Sequence, residues 1–522
     1  MNPEAGSETA TRVLIASNRG PVSFRMAPDG ALTSHRGSGG VVSGLLSVAG
    51  QSDVLWVCAA LSEADRAASR AERGGLLDLR LADQGPDAAG DGQGRLAALE
   101  PAEDASGRPG VGKPRSAVQM LDIPVPVFEQ AYNGIANSVL WFVHHMLYDT
   151  PSRPVFDEHF QREWESFRAY NAAFATALAE GAGHPGPHGV RAMIQDYHLT
   201  LVPRMLAEQR PGLAIAHFSH TPWAPPDYYA LLPDDVAREV LDGMLGADHV
   251  GFHAQRWAEA FLDCCQAVLG AEVNHEAGTV RHQGHTSTVA VHPLGVDAVE
   301  LRSRAAEADV EANVAALRAA TADCKIIVRV DRTELSKNIV RGLAAYRELL
   351  VTHPEWRGRV THVVFAYPSR HDLPEYREYT AAVQRLARQI MDEFATEDWN
   401  PLILSVHDDY PRSLAAYRLA DVLLVNPIRD GMNLVAKEGP LLAERGCALV
   451  LSREAGAAAE LGEAALLVNP YDVSATVRAL HEALSMPDAE RMRRAALLAK
   501  MAAANPPAAW FTSQLDALTS CG

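Results

Sequence analysis

The stretch Asn426–Glu438 reads NPIRDGMNLVAKE and follows a short apolar run at Val422–Val425. The run predicts a buried parallel strand, because four consecutive apolar residues leave neither face polar. Gly431 then permits a sharp turn, and the residues after it are acceptable helix formers. We therefore expect the residues 430–433 at the carboxyl end of a strand and the amino end of a helix, where open parallel sheets bind ligands. Taken alone, the stretch also fits an ordinary strand–helix connection with a surface Asp-Gly turn.

The length and composition indicate a globular protein of two domains. At 522 residues the chain is too long for one hydrophobic core, and 48% hydrophobic with 21% charged residues is an ordinary composition. The formal net charge is −18, so no general positive field exists to attract nucleic acid or an anionic membrane. We expect neither as a partner, and a phosphorylated substrate would need a local cluster of cations.

The cysteines and the amino terminus indicate a reducing compartment. None of the six cysteines forms a CxxC pair, and most lie in apolar runs, which favours buried free thiols. The first residues contain no apolar signal core, and no run approaches the length of a membrane span. The prediction is a soluble cytoplasmic protein, and a homo-oligomer is compatible with the sequence.

The central stretch resembles the signature of a known enzyme family. DGMNLVAKE at 430–438, preceded by Pro-x-Arg at 427–429, is similar to the signature of the trehalose-6-phosphate synthases, retaining GT-B glycosyltransferases of family 20. The resemblance runs from Val13 to about Leu518, apart from a segment at 84–115 rich in Gly, Asp, Ala and Pro that we expect to be a mobile insertion.

The resemblance implies an α/β fold with two Rossmann-like domains, whose parallel sheets would face an interdomain cleft. Short apolar runs such as Ile326–Val330, Val363–Ala366 and Leu402–Ser405 predict the strands of the second sheet. The expected parts are a disordered tail at 1–11, an amino-terminal acceptor domain at 12–297, a nucleotide-sugar domain at 298–487, and a carboxy-terminal helix at 488–522 that returns to the first domain.

In the second half, the resemblance assigns residues to the nucleotide-sugar donor. Arg332 and Lys337 match the two cations of the family's RLDYSKG motif, which hold the donor diphosphate. Cations there would stabilise the charge that grows on the leaving nucleotide. The alternative is that Arg332 and Lys337 belong to a run of ion pairs on the surface and are both exposed to solvent. Asp430 would fix glucose hydroxyls, and Glu438 would accept hydrogen bonds from the ribose. The full predicted donor set is Gly39, Gly40, His220, Arg332, Lys337, Asp408, Asp430, Gly431, Met432, Asn433, Leu434, Val435 and Glu438.

Thr333, Glu334 and Asn338 are among the positions that depart from the RLDYSKG pattern.

In the first half, two polar groups follow neighbouring predicted strands. Asp196 lies in QDYHL, which resembles the family's HDYHL, and His220 lies 24 residues later in a segment similar to LHIPFP. Asp196 would orient hydroxyls at the reacting centre, and His220 would contact the donor glucose, although a lone histidine is usually structural. Gln195 replaces the family's usual histidine. The glycine-rich run that contains Gly39 and Gly40 matches the family's double-glycine loop, whose amides face a pyrophosphate.

The acceptor residues are expected at further motifs. Arg19 lies in a Ser-Asn-Arg turn after a strand, where a guanidinium can hold a phosphate through two hydrogen bonds. Arg370 belongs to Pro-Ser-Arg, 38 residues after Arg332. Tyr132 and Trp141 belong to a segment similar to YNxFSNxxLW, with two core aromatics as the alternative. The predicted acceptor set is Arg19, Tyr132, Trp141, Asp196 and Arg370.

One acidic residue bears on the donor base. Asp408 stands where the family places its nucleobase pocket, and a carboxylate there could accept hydrogen bonds from the N1–H and N2–H₂ groups of guanine, whereas uracil offers no such pair. The hypothesis is that GDP-glucose is the donor; a solvent-exposed acidic loop is the alternative.

The resemblance implies transfer of glucose, with retention, from GDP-glucose or UDP-glucose to glucose 6-phosphate, which yields trehalose 6-phosphate. The expected catalytic residues are Arg332, Lys337, Asp196, Asp430 and His220, with no metal and no cofactor. Ala59, which replaces a family tryptophan, and Gln195 keep open another phosphorylated acceptor, such as a glycerol phosphate or a cyclitol phosphate. A non-catalytic sugar-phosphate sensor is the alternative from another functional class.

Overall fold

A computed structural model of the chain describes residues 12–27, 29–36, 53–71, 76–78, 116–183, 189–370 and 372–519. The predicted tail at 1–11, the predicted insertion at 84–115, and both Gly39 and Gly40 lie outside the described residues. The chain divides into two compact units. The first contains the described residues of Met1–His144, Tyr148–His292 and Pro507–Gly522, and the second those of His145–Leu147 and Pro293–Pro506.

The first unit is built on a ten-stranded sheet with a parallel centre. The apolar run at 13–16 forms β1 (Arg12–Ala16), and these four residues are fully buried. In spatial order the sheet contains β10 (Glu272–Asn274), β11 (Thr279–His282), β12 (His285–Val291), β9 (His249–Phe252), β8 (Ala214–Ser219), β7 (Val190–Gln195), β1, β4 (Asp53–Ala59), β6 (Ser116–Leu121) and β5 (Leu76–Asp78).

A separate antiparallel hairpin, β2 (Val22–Met26) and β3 (Leu32–Arg36), joins β1 to the rest of the first unit. No motif predicted this hairpin, because only β2 alternates between apolar and polar residues and each strand is just five residues long.

Helices cover the first sheet. The longest, Glu158–Gly181, begins at Asp157, whose side chain accepts a hydrogen bond from the Phe160 N–H and so satisfies an amide of the first turn. The described helices of this unit are Glu63–Ala71, Val125–Glu129, the π-helix Gln130–Leu140, Trp141–His145, Glu158–Gly181, the 3₁₀ turn Tyr197–Leu199, Val202–Gln209, Pro226–Tyr229, Asp234–Met244, Gln255–Cys264, the π-helix Cys265–Leu269 and Pro507–Thr519.

The second unit contains a six-stranded sheet in which every pair is parallel. Its spatial order is β15 (Leu402–Ser405), β14 (Val360–Tyr367), β13 (Lys325–Arg332), β16 (Val422–Val425), β17 (Ala448–Ser452) and β18 (Leu466–Val468). The strand order reverses between β13 and β16. Ligands of open parallel sheets bind outside the carboxyl ends of strands at such a reversal. A ligand site is therefore expected among the residues that follow these two strands.

Apolar residues on both faces of this sheet pack against helices in two core clusters, which explains why the strands read as continuous apolar runs. The described helices of the second unit are Ala298–Ala305, Ala308–Thr321, the 3₁₀ turn Leu335–Lys337, Ile339–Thr352, the 3₁₀ turn Pro354–Trp356, Pro374–Phe394, Tyr410–Leu419, Val435–Leu442, Ala458–Leu461, Val473–Ser485 and Asp488–Ala502.

Two boundaries differ from the sequence-based expectation. The second unit begins at Pro293, not after residue 297, and the helix Asp488–Ala502 also belongs to it. The chain returns to the first unit only at Pro507, because the helix at 488–502 packs on the helices Val435–Leu442 and Ala458–Leu461 of the second unit.

The Ala- and Glu-rich run Arg302–Ala319 predicts one helix that opens the second half of the chain, but the structure has two, Ala298–Ala305 and Ala308–Thr321. Glu307 has an extended backbone (φ −74°, ψ 155°) at the start of the second helix, and this interrupts the first. Among the described helices, none combines the length and apolar character that a membrane crossing requires.

Candidate active site

Lys337 and Asp430 meet at the reversal of strand order in the second unit. Lys337 ends the 3₁₀ turn that follows β13, and Asp430 lies in the turn that follows β16. The Lys337 Nζ lies 2.5 Å from Asp430 Oδ2, and the Asn433 amide donates to the same oxygen at 3.0 Å. The side chains of Lys337 and Asp430 are only 13% and 15% exposed. The structure therefore brings two predicted donor residues into one shielded ion pair.

Each member of this pair stabilises the charge of the other. Burial by itself would raise the pKa of Asp430, but the Lys337 ammonium outweighs it and the pKa lies below its usual value. Burial by itself would lower the pKa of Lys337, but Asp430 and Asp331 raise it overall. Both groups are thus ionised at neutral pH, in a place where charge is little screened.

A buried arginine supports the segment that carries Lys337. Arg329 is fully buried in β13. It donates to the Lys337 carbonyl and to the Asn426 side chain, and its Nε lies 2.9 Å from Asp331 Oδ2. Arg329 therefore ties the residues after β13 to those after β16, and it also holds Asp331 as a counter-charge.

Asn338 accounts for one departure from the family motif. Its backbone is left-handed (φ 60°, ψ 34°), a conformation that glycine adopts at no cost and asparagine tolerates. Its side-chain amide donates to the carbonyls of Asn426 at 2.9 Å and Pro470 at 2.8 Å. The asparagine thus replaces the flexibility of glycine with two buried hydrogen bonds.

The loop at 455–458 packs against the turn at 430–433 and donates two backbone hydrogen bonds to it. Gly456 N–H donates to the Asp430 carbonyl at 3.0 Å, and Ala457 N–H donates to the Met432 carbonyl at 2.8 Å. A Cβ on Gly456 would lie 1.9 Å from the Gly431 carbonyl oxygen, so only glycine fits there. The Gly431 backbone is therefore fixed by close packing.

Asn433 connects this turn to the helix Val435–Leu442. Asn433 has φ 82°, and its Oδ1 accepts a hydrogen bond from Ala436 N–H at 3.2 Å. Leu434 stands at the amino end of the helix and Val435 begins it; both are half-buried. Backbone amides at this end carry a partial positive charge, which suits an anionic group.

Glu438 lies within the same helix and is half-buried. Burial raises its pKa to about 7, against the opposing effect of a hydrogen bond with Tyr417. This carboxylate therefore changes its charge near neutral pH.

Arg332 and Arg370 share one carboxylate that the sequence analysis had not assigned to the site. Arg332 is half exposed (53%), and its Nη1 lies 3.3 Å from Glu334 Oε1. Arg370 is 11% exposed, and its Nη1 lies 3.4 Å from the same oxygen. Glu334 is fully buried. The only sequence signal was that Glu334 departs from the family motif.

Asp408 and Asp409 have different surroundings. Asp409 precedes the helix Tyr410–Leu419 and accepts a hydrogen bond from Arg412 N–H at 3.0 Å, which makes it a helix cap. Asp408 is exposed. Asp409 is half-buried, so Asp408 is the more exposed of the two, which fits both the nucleobase hypothesis and the exposed-loop alternative.

In the first unit, Asp196 and His220 follow the neighbouring strands β7 and β8. Asp196 has φ 76°, a strained conformation for a residue other than glycine. Its Oδ1 accepts a hydrogen bond from the His220 N–H at 3.2 Å. The two predicted residues thus lie side by side, with the Asp196 carboxylate partly open (25% exposed).

The His220 ring lies between two side chains that were not predicted as site residues. Its Nε2 lies 3.0 Å from Gln195 Oε1, and its Nδ1 lies 3.1 Å from His253 Nε2. With the amide oxygen as acceptor, Nε2 carries the ring hydrogen and Nδ1 accepts from His253. Burial lowers the pKa of His220 to about 3, and the nearby His217 adds to this effect. His220 is therefore neutral at physiological pH.

The predicted acceptor residues of the first unit differ in exposure. Arg19 follows β1 and is exposed. Tyr132 is half-buried, with its ring stacked on Phe128 at 5.3 Å and on His198 at 5.5 Å. Trp141 is only 7% exposed, which fits the core-aromatic alternative.

One group of side chains elsewhere in the described ranges could hold a metal ion. The ligand atoms of His353, Glu355 and His481 lie within 4.8 Å of one another. The two imidazole rings are stacked at 4.0 Å with 18° between their planes, so their in-plane lone pairs run nearly parallel and do not converge. The group belongs to none of the predicted site motifs.

Comparisons with known proteins point to one family. The family model described as Glycosyltransferase family 20 matches residues 110–520. The chain is 31% identical to the alpha,alpha-trehalose-phosphate synthase [UDP-forming] 2 of Aspergillus fumigatus, over the full length of both chains. It is 34% identical, over 76% of its residues, to the bifunctional trehalose-6-phosphate synthase/phosphatase of Thermoproteus tenax.

The chain spans about half the length of two of these relatives, 53% of the Thermoproteus tenax protein and 54% of a relative from Arabidopsis thaliana.

Solved structures show the same fold. An alpha,alpha-trehalose-phosphate synthase (UDP-forming) from Burkholderia vietnamiensis superposes with a TM-score of 0.79 at 28% identity, over 98% of both chains. A protein from E. coli bound with UDP-2-fluoro glucose superposes with a TM-score of 0.77 at 26% identity, over 97% of this chain and 99% of its own. The predicted GT-B fold class is confirmed. Because the family model covers most of the chain and a relative matches it from end to end, the chain belongs to glycosyltransferase family 20, the family of the trehalose-6-phosphate synthases.

Proposed function

We propose that the chain transfers glucose, with retention of configuration, from a nucleoside diphosphate glucose to glucose 6-phosphate and so forms trehalose 6-phosphate. The observation that carries this proposal is the Lys337–Asp430 ion pair, at 2.5 Å, where the strand order of the second sheet reverses. A diphosphate needs a cation and a sugar hydroxyl needs an acceptor, and this pair offers both at one place. The names of the full-length relatives point to the same reaction.

In the proposed reaction, the second unit holds the donor. Arg332 and Lys337 face the diphosphate, together with the backbone amides at 432–434. Asp430 accepts hydrogen bonds from the glucose hydroxyls, and Glu438 accepts from the ribose hydroxyls. Charges held in place before the reaction begins stabilise the leaving nucleotide without reorganisation, which is the largest contribution in many enzymes.

Retention requires no protein nucleophile in this scheme. The bond between the glucose C1 and the diphosphate oxygen breaks, and the anomeric oxygen of the acceptor bonds to C1 on the same face. The proton of that acceptor hydroxyl moves to the departing phosphate oxygen, so the nucleoside diphosphate leaves with the proton and the charges balance. The protein contributes position and electrostatics.

The acceptor residues divide into phosphate and sugar ligands. Arg19, Tyr132, Trp141 and Arg370 would bind the phosphate of glucose 6-phosphate, and Asp196 would orient its sugar. His220 would contact the donor glucose as a neutral hydrogen-bonding group, because an imidazole with a pKa of about 3 carries no positive charge at neutral pH.

The donor base has two candidates, each supported by a different observation. The relatives named UDP-forming favour UDP-glucose. GDP-glucose is the second candidate, because the exposed Asp408 has a carboxylate that can accept two hydrogen bonds from guanine. Replacement of Asp408 by Asn should lower the use of GDP-glucose selectively if guanine is read there, and should leave the use of UDP-glucose within about twofold.

A panel assay tests the proposal. The purified chain is incubated with glucose 6-phosphate and with ADP-, GDP- or UDP-glucose in separate wells, and both the released nucleoside diphosphate and the sugar product are measured. Trehalose 6-phosphate in any well is the expected result, and the best well names the base. Parallel wells with glycerol 3-phosphate or an inositol phosphate test the other acceptors that Ala59 and Gln195 leave open. Binding of glucose 6-phosphate without product in any well would overturn the proposal.

A further inference from the structure

Glu334 is a buried carboxylate whose partners all come from the ends of two neighbouring strands. It follows β13, and it accepts a hydrogen bond from Ser369 Oγ at 2.8 Å through Oε1. The same oxygen lies 3.3 Å from the Arg332 guanidinium and 3.4 Å from the Arg370 guanidinium. Its other oxygen, Oε2, is buried and accepts no hydrogen bond from any residue that the structure describes.

The ionised state of a fully buried carboxylate has to be stabilised by its surroundings. Burial of a charge is costly unless cations and hydrogen bonds compensate it. Burial by itself would raise the pKa of Glu334, but Arg332, Arg370 and Lys337 bring it to about 2. The group is therefore ionised at every physiological pH, and the three nearby cations determine this.

The two arginines also depend on Glu334. Their guanidinium groups are neighbours of like charge, and the carboxylate between them removes their mutual repulsion. Arg370 has a strained, left-handed backbone (φ 44°), which local contacts must maintain. Its Nη1 additionally donates to the buried Tyr376 hydroxyl at 2.8 Å. Arg370 thus has a second anchor, whereas the exposed Arg332 relies more on Glu334.

We propose that Glu334 is a positioning residue that orients the donor arginine, Arg332, and the acceptor-phosphate arginine, Arg370, through a single carboxylate oxygen. This inference rests on the proposed function, which assigns Arg332 and Arg370 to the two substrates. One residue that touches neither substrate then sets the geometry of both anion-binding groups.

A neutral side chain at position 334 distinguishes two roles of Glu334: orientation of Arg332 and Arg370, or competition with the substrates for these arginines. Glu334→Gln increases the positive charge near both phosphates. If the carboxylate merely competed with substrates for the arginines, the variant would have lower KM values for both. If it orients them, both KM values rise together, by about tenfold each, as expected for the loss of one charge-assisted contact.

The experiment measures KM for donor and acceptor and kcat in four variants, with binding of UDP, GDP and glucose 6-phosphate followed by calorimetry. Glu334→Asp keeps the charge on a shorter side chain and should recover part of the loss. Tyr376→Phe removes an anchor of Arg370 alone and should raise only the acceptor KM. Glu393→Gln neutralises a carboxylate in a surface ion pair with Arg347 at 2.7 Å, and it serves as the matched control.

The outcomes separate the two levels of the proposal. Parallel rises in both KM values for Glu334→Gln, with a one-sided effect for Tyr376→Phe, support the positioning role. Unchanged or lower KM values, or a change for one substrate only, overturn it while the proposed function stands. If the unaltered chain forms no product, the proposed function fails, and calorimetry still decides whether Glu334 orders the anion sites. If Glu334→Gln does not fold, as thermal unfolding would show, Glu334→Asp and Tyr376→Phe carry the same test.

Discussion

At the scale of single residues, the site is a set of buried charges that stabilise one another. Lys337 and Asp430 are both shielded from water, and burial by itself would favour the neutral form of each, against which the charge of the other acts. Arg329 and Asp331 form a second buried pair at 2.9 Å directly beneath Lys337. Such groups are charged and oriented before a substrate arrives, which is the condition for electrostatic catalysis.

Replacement of Lys337 by Ala should lower kcat by about 10²- to 10³-fold, because it removes a positioned cation from the leaving group. Burial would then raise the pKa of Asp430, since its principal counter-charge is gone. The measurement is steady-state turnover with the best donor. Arg302→Ala, which removes an exposed arginine of the same unit, is the matched control. Turnover of Lys337→Ala within tenfold of the unaltered chain would refute the assignment.

Glu438 should make donor binding depend on pH. Its pKa is raised to about 7, so the carboxylate is protonated below that pH and ionised above it. If the ionised form accepts the ribose hydroxyls, the donor KM falls as pH rises, by about tenfold between pH 6 and pH 8. Glu438→Gln does not titrate, and its donor KM should be flat over this range. An unaltered chain with the same flat profile would contradict the role of Glu438.

At the scale of elements, the turn at 430–433 is positioned by its neighbours more than by its own sequence. The loop Ala455–Ala458 donates two backbone hydrogen bonds to it. Asn433 caps the first turn of the helix Val435–Leu442. Arg329 and Asn338 join β13 to the segment after β16. The turn is therefore held on three sides by contacts that leave little freedom.

Gly456→Ala tests this close packing. The new Cβ would lie 1.9 Å from the Gly431 carbonyl oxygen, so the turn must move. We expect a loss of about 1–3 kcal/mol in the free energy of unfolding and a raised donor KM, as overpacking usually causes. Urea unfolding and donor kinetics check both effects. Ala459→Ser adds an atom at the neighbouring exposed position and should change neither. If Gly456→Ala behaved like Ala459→Ser, the turn would be less constrained than its contacts indicate.

At the scale of the whole molecule, one lysine of the signature serves the fold of the second unit. Lys437 is fully buried, and its Nζ donates to the Leu294 carbonyl at 2.8 Å and to Glu460 at 2.6 Å. Asn505 donates to the other oxygen of Glu460 at 3.2 Å. Leu294 and Asn505 stand near the first and last residues of the main segment of this unit. Lys437 therefore links the place where the chain enters the unit to the place where it leaves.

Lys437→Met should destabilise the protein by about 3 kcal/mol, because it leaves Glu460 largely buried without its cation. The free energy of unfolding in urea measures this loss. The double variant Lys437→Met with Glu460→Gln removes both charges and should recover part of it. A loss below about 1 kcal/mol for Lys437→Met alone would contradict the structural role, whereas unchanged donor KM values in the folded variant would agree with it.

The accuracy of prediction differs between these scales. The runs at Val422–Val425 and Leu402–Ser405 form strands at those same residues. The helix expected over 302–319 is interrupted, because Glu307 has an extended backbone that the pattern of apolar residues does not predict. Glu334 was noted only as a departure from a motif, since its partner Arg370 reaches it through the pairing of β13 with β14, which no local pattern encodes.

The sequence by itself determined several parallel strands of the two sheets, the turns that follow them, and the family, because these depend on short apolar runs and on consecutive residues. The tertiary structure alone decided which side chains meet. Lys337 and Asp430 are 93 residues apart and become partners only because β13 and β16 pair in parallel. The same structure directed Lys437 into the interior and Glu438, its neighbour, toward Tyr417, since the position of a helix against its surroundings decides whether a charge serves the fold or faces a ligand.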